Sequence, residues 1–197
     1  QTYLYEVDDV DSKAETDLGE KIRDSYLDQI PGNIHAVTAV RKGKDHEAIQ
    51  TSRERNPLPV ICGRVCVRRC EDVCRRDILD DPVGINMVKR TASDYWIEHP
   101  YEEVPGDATG KHVAIIGGGP AGLTAAYFLR LKGHRVTIFE MHDKLGGMVR
   151  WGIPDYRLPQ KLLDWEIQQI LNLGVEARLN TRIGRDVTMD QLHKDFD

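Results

Sequence analysis

The run Gly117-Gly118-Gly119-Pro120-Ala121-Gly122 constrains this chain more than any other feature. It follows the apolar stretch His112-Val113-Ala114-Ile115-Ile116 and opens a segment, Pro120 to Leu131, with the composition of a buried helix. Gly133 stops that helix, and Arg135 to Phe139 reads as a second apolar strand, so the whole is a β-α-β unit with parallel strands. In the pattern G-x-G-x-x-G, Gly117 permits the tight turn, Gly119 lets a pyrophosphate approach the backbone, and Gly122 lets helix pack on strand. Pro120 and Ala121 form the first helical positions, where free N–H groups favour an anion. Glu140 stands 23 residues after Gly117, at the end of the second strand, where a carboxylate accepts hydrogen bonds from ribose hydroxyls. An acid there disfavours a 2′-phosphate, so the site suits FAD or NAD rather than NADP.

The pattern continues through a loop, 142–158, into an amphipathic helix over 159–173 with Leu162, Leu163, Ile167, Ile170 and Leu171 inward. Gly174 ends it, 175–179 reads as a third strand, and Thr188 with Gln191 predicts a capping box. Three strands after residue 110 are fewer than a six-stranded doubly wound sheet requires, so the expectation is an incomplete Rossmann-like domain over 111–197 and a sequence that is a fragment.

The amino-terminal half has a different period. An acidic extension, 1–15, precedes predicted helices at 16–29, 34–41, 45–55 and 85–97, which group into a mostly α-helical unit over 16–100. Residues 101–110 then read as a linker, with Pro105, Gly106 and Gly110. The predicted class is therefore α plus α/β.

All four cysteines fall inside that helical unit, at Cys62, Cys66, Cys70 and Cys74. A secreted disulfide framework spreads its cysteines over the loops it staples, whereas one short cluster reads as a metal or iron–sulfur site in a reducing, cytoplasmic compartment. On an unbroken helix the first and last would lie about 18 Å apart. The backbone must therefore turn within the segment, or the ligands divide among sites. Four thiolates suit a [4Fe-4S] cluster, and zinc also accepts an all-cysteine site. Arg64, Arg68, Arg69, Arg75 and Arg76 crowd the same segment, as a solvated basic face or as a surface for an acidic partner.

Charge excludes other classes. With 27 Lys plus Arg against 32 Asp plus Glu the net charge is −5, which argues against nucleic acid as a partner. No apolar run approaches the roughly 20 residues of a membrane-spanning helix, so no membrane insertion is expected. The seven histidines show no paired metal spacing, and no C-x-x-C follows the glycine turn to serve dithiol chemistry.

The segments GGGPAG, LGGMVRWGIPDYRLP (145–159), LLDWEIQQILNLGVE (162–176) and IPGNIHAVTAVRKGKDHEAIQTSRERNPLPVICGRVC (30–66) together resemble the small subunit of glutamate synthase and its relatives, including the amino-terminal part of dihydropyrimidine dehydrogenase. The resemblance covers roughly residues 30–197. It implies a helical iron–sulfur domain followed by an FAD-binding domain, with NAD(P)H reducing FAD and electrons leaving through [4Fe-4S] clusters to a partner subunit or domain. It implies further that Gly117 to Gly122 hold the pyrophosphate, that Glu140 holds the adenosine ribose, and that Gly147, Met148, Arg157 and the backbone near Ile183 contact FAD. It makes Cys62, Cys66, Cys70 and Cys74 the candidate cluster ligands, Cys62 being a non-ligand in some relatives. The sequence departs from the pattern twice: Ile30 stands where relatives carry an upstream Cys-Pro cysteine, which bears on cluster number, and Val67 stands where proline is common. No second G-x-G-x-x-G follows Gly122, which places the NAD(P)H-binding domain outside this chain. Two other classes stay open on the residues alone. One is a zinc-binding or non-redox assembly module with a structural dinucleotide site, and the other is an NAD-dependent dehydrogenase.

Overall fold

A computed structural model of the protein describes residues 39, 40 and 42–197. The helix expected at 16–29, the acidic extension, and most of the helix expected at 34–41 lie outside the described residues. Chain order is α1 (Asp45–Arg53), α2 (Pro59–Val65), α3 (Arg69–Asp72), a 3-10 turn (Arg75–Ile78), α4 (Ile85–Glu98), β1 (His112–Ile116), α5 (Pro120–Leu131), β2 (Arg135–Phe139), α6 (Met148–Trp151), α7 (Gln160–Leu171), β3 (Glu176–Arg178) and α8 (Met189–Asp195).

The three strands are parallel in the order β1-β2-β3, with Val113 opposite Val136, Ile115 opposite Ile138, and Ile138 opposite Ala177. This is the 3-2-1 half of the doubly wound order, with β2 central. β2 is buried from Val136 to Phe139 because it has a neighbour on each side and helices against its face. Gly122 sets the distance between α5 and β1: a Cβ there would sit 2.0 Å from the Gly117 carbonyl oxygen and 3.2 Å from Ile115 Cγ2. Thr188 and Gln191 form the expected reciprocal capping box on α8.

Two helices are shorter than their periodicity predicts, α1 ending at Arg53 and α7 spanning Gln160–Leu171. The 142–158 stretch, read as plain loop, contains the single-turn α6. Past α7 the apolar spacing continues to the buried Leu173 without continuing the ladder, whereas past α1 Glu54 and Arg55 are exposed.

The helical unit and the β-α-β unit share their cores. Leu58 and Ile61 around α2 are buried with Leu123, Ala126, Tyr127, Val136, Ile138, Leu163 and Ile167 of the β-α-β unit. Reciprocally, Leu162 and Trp165 of α7 pack on Ala48, Ile49, Val60, Ala92 and Trp96 of the helical unit. Trp96 and Trp165 meet edge to face with ring centroids 4.7 Å apart. Arg53 is buried between the Trp96 and Tyr127 rings, 4.0 and 4.9 Å from their centroids, and pairs at 2.8 Å with Glu103, which also accepts from the Tyr127 hydroxyl at 2.9 Å. Residues 101–110 are pinned rather than loose: Gly106 N donates to Arg130 O and Thr109 N to Gly133 O, both at 3.1 Å.

Gly122→Val forces two branches into the Gly117 backbone, and overpacking at a strand-helix contact costs about 3 kcal/mol. Chemical denaturation should show that loss, whereas a substitution at the exposed Ala125 on the same helix should leave stability within about 0.5 kcal/mol.

Candidate functional site

β1 ends at Ile116 and the chain turns at Gly117 with φ +97° before α5 begins. Gly119 is the residue before the helix and no side chain caps it, so the first-turn N–H groups of the twelve-residue α5 are not occupied by any side chain. A second glycine turn presses on the first. Gly146 N donates to Gly118 O at 2.8 Å, and a Cβ on Gly147 would lie 2.8 Å from Gly119 Cα. Gly147 also has φ +53°, so neither its backbone nor its neighbour tolerates a side chain.

Glu140 follows β2 directly and is buried. Its Oε2 accepts from Gly118 N at 2.7 Å and its Oε1 from His142 N at 3.0 Å. The carboxylate thus ties the first glycine turn to the loop after β2, and each oxygen keeps a lone pair for a further donor such as a ribose hydroxyl. The structure therefore gathers Gly117, Gly119, Pro120, Ala121, Gly122, Glu140 and Gly147 at the carboxyl ends of β1 and β2. Met148 opens α6 beside them and is exposed. Arg157 is exposed in the turn before α7, its N–H donating to Pro154 O at 2.9 Å. Ile183 is half-buried in an isolated bridge with Val187, beyond β3. Among the described residues, no hydrogen bond or ion pair joins Arg157 or Ile183 to the glycine turns.

Arg150 holds the second turn in place, and sequence reading missed it. Its buried guanidinium donates to Leu145 O at 2.5 Å, to Gln160 Oε1 at 2.7 Å and to the Asp164 carboxylate, linking the 145–147 turn to α7. Nothing in the local pattern marked it.

The cysteine segment turns, one of the two outcomes that the length argument left open. α2 carries Cys62 and ends at Cys66, whose backbone is extended (φ −57°, ψ 136°). Arg68 takes the left-handed conformation, φ 62°, then Cys70 lies in α3 and Cys74 precedes the 3-10 turn. All four thiols are unpaired; Cys70 is exposed and the others are half-buried. Arg68 N donates to Cys66 Sγ at 3.4 Å, and Cys62 Sγ donates to Asn56 Oδ1 at 3.5 Å. Burial, reinforced by the Glu166 carboxyl and offset by Lys89, pushes the Cys62 thiol up. Among the described residues, no three His, Cys, Asp or Glu side chains converge as a metal site. The donor set nevertheless fits a thiolate-held cluster: sulfur only, no disulfide, and a backbone N–H already aimed at Cys66.

Glu166 is the second residue that sequence reading missed. It lies on the inward face of α7 between Leu163 and Ile170, fully buried. A carboxyl at an inward position was the available signal. Its Oε1 accepts from Val60 N at 2.6 Å and its Oε2 from Ile61 N at 2.8 Å, which are first-turn donors of α2. Burial pushes its pKa up to about 8 against the downward pull of those two N–H groups and of Arg53 and Arg64.

Comparison with known proteins now has a geometry to explain. Residues 28–101 match the family described as dihydropyrimidine dehydrogenase domain II, 4Fe-4S cluster, and residues 115–180 match an NAD(P)-binding Rossmann-like domain. The glutamate synthase [NADPH] small chain of Bacillus subtilis is 38% identical over 160 residues, covering 80% of this chain and 32% of that protein. The chain is homologous to the glutamate synthase small chains. It is also 43% identical over 184 residues to the NADP(+)-dependent formate dehydrogenase subunit beta of Moorella thermoacetica (82% of this chain, 26% of that protein). The NADPH-Fe(3+) oxidoreductase subunit beta of Geobacter sulfurreducens is 40% identical over 178 residues (87% and 26%). This chain thus spans about a quarter of the length of these last two relatives. The resemblance read from the motifs is borne out, as is an iron–sulfur unit followed by a Rossmann-like unit. Among the described residues no helix is long and apolar enough to cross a membrane.

Two outcomes follow. Arg150→Met removes three hydrogen bonds from a buried guanidinium and should cost about 3 kcal/mol in chemical denaturation, with a parallel loss of order at the 145–147 turn by amide exchange. Glu166 is protonated when folded and ionised when unfolded between pH 4.5 and about 8, so the native state binds the extra proton there and stability falls as pH rises through that window. The Tm advantage of the wild-type protein over Glu166→Gln should shrink from pH 5 to 8 and stay constant above about pH 8.5.

Proposed function

We infer that this chain is the electron-conducting part of an NAD(P)H oxidoreductase subunit, with FAD at the paired glycine turns and a [4Fe-4S] cluster on the cysteine segment. The observation that carries the first half is the uncapped N-terminus of α5 facing a second glycine turn, with Glu140 beside both. A pyrophosphate satisfies those N–H groups, and the ribose of its adenosine reaches Glu140, whose carboxylate disfavours a 2′-phosphate. The names of the relatives, which specify NADPH or NADP, support a nicotinamide donor bound elsewhere in the whole protein.

Each residue has a part in this reading. The backbone of Gly117 to Gly122 binds and orients the diphosphate, and Gly147 keeps the neighbouring turn close enough to shield it. Met148 offers an exposed apolar surface to the cofactor, Arg157 a cation to its polar groups, and Ile183 a backbone contact on the far side. Cys62, Cys66, Cys70 and Cys74 would hold the cluster, with the Arg68 N–H stabilising charge on the Cys66 sulfur. Bound flavin supplies the exchange between hydride and single-electron chemistry, and the cluster supplies the single-electron exit to a partner subunit or domain. No side chain is needed as acid or base. The organisation we propose is a 1–15 extension, an iron–sulfur unit over 16–100, a linker over 101–110 and an FAD-binding unit over 111–197, in a cytoplasmic protein.

Separable losses test the assignment on the full-length protein handled anaerobically. Glu140→Ala should lower FAD content at least tenfold and leave iron near the wild-type value, while Cys66→Ser should do the reverse. Loss of both cofactors in either variant, or of neither in both, contradicts two distinct sites.

A further inference from the structure

Helix α2 is seven residues long and begins without a side-chain cap of its own; Leu58 precedes it and Pro59 takes the first position. Its remaining first-turn donors, Val60 N and Ile61 N, are buried and need acceptors. A residue more than a hundred positions away supplies them. Both carboxyl oxygens of Glu166 are spent on these two N–H groups, at 2.6 and 2.8 Å, so the group fixes both position and direction of the helix axis. Further bonds brace the same helix from its own unit: Arg64 pairs with Asp94 at 2.5 Å, Asn86 Nδ2 donates to Gly63 O at 3.0 Å, and a Cβ on Gly63 would touch Arg90 Cα at 3.1 Å. Those ties hold α2 to α4. Among the described residues, only the Glu166 pair ties its backbone to the β-α-β unit by hydrogen bonds.

α7 is in turn fixed to the glycine turns. Arg150 joins Leu145 O to Gln160 and Asp164 on its first turns, and Gly146 N joins that loop to Gly118 O. A continuous path of hydrogen bonds therefore runs from the proposed FAD turn through Arg150 and α7 to Glu166, and from Glu166 to the helix that carries Cys62 and ends at Cys66.

We propose that Glu166 is a positioning residue for electron transfer: it caps α2 from the other unit and so sets the separation between the flavin turns and the cysteine segment. This rests on the reading that both cofactors bind. Single-electron transfer falls steeply with separation, so a helix freed to shift slows transfer while leaving each cofactor's own contacts in place.

The test uses the full-length holoprotein. After rapid mixing with NADPH, Glu166→Ala should keep FAD and iron contents near wild type, leave the rate of flavin reduction unchanged, and slow flavin-to-cluster transfer at least tenfold. Glu166→Gln, which retains one acceptor oxygen, should slow it about threefold and decides the matter if the alanine variant does not fold. Leu162→Ala, on the same helix against the helical unit, is the control for general loosening; it should lower Tm without slowing transfer. In the iron-free protein, Cys62 should alkylate more slowly than the exposed Cys70, and Glu166→Ala should bring the two rates within about twofold. Wild-type transfer rates in the Glu166 variants, equal slowing in Leu162→Ala, or an unchanged alkylation ratio overturns the proposal. A wild-type protein without flavin or iron overturns the functional reading instead.

Discussion

The carboxyl of Glu166 is the contact on which the rest of this structure depends. It sits where an amphipathic helix places apolar side chains, and its burial is unfavourable enough to lift its pKa to about 8. The fold tolerates it because α2 offers two buried N–H groups that have no other acceptor, so one awkward group cancels two others. The consequence is that the helical and β-α-β units do not meet as two finished surfaces. Leu58 and Ile61 enter one core, Leu162 and Trp165 enter the other, and Arg53 lies stacked between rings from both units.

A rigid junction suits a protein whose proposed task is to hand electrons across it. Flavin and cluster chemistry belong to the cofactors, and the chain contributes distance, orientation and exclusion of water. The paired glycine turns do this by backbone alone, since Gly122 and Gly147 approach their neighbours more closely than any side chain permits. Glu140 does it by charge, tying two loops together while retaining lone pairs for a ligand.

Much of this was legible in the sequence because it is local. The strand, glycine turn and helix over 112–131 are encoded within twenty residues, and α5 and β2 have the boundaries that the spacing predicts. The rise of a helix left either a turn among the cysteines or ligands divided among sites, and a turn is found at Cys66 and Arg68. Arg150 and Glu166 were not read, since their roles depend on partners brought near only by folding: a carbonyl at Leu145 and a carboxylate at Asp164 for one, two N–H groups about 105 positions away for the other. Arg157 and Ile183, which came from resemblance rather than from local physics, lie outside the set of residues that the glycine turns gather.

The central claim is that one chain carries both a flavin site and a cluster site, and the most direct measurement is the cofactor content of the full-length protein purified without oxygen. The account predicts about one FAD per chain together with iron and sulfide near four each, seen as a flavin spectrum over a broad brown absorbance. Zinc in place of iron, or iron without flavin, would contradict it.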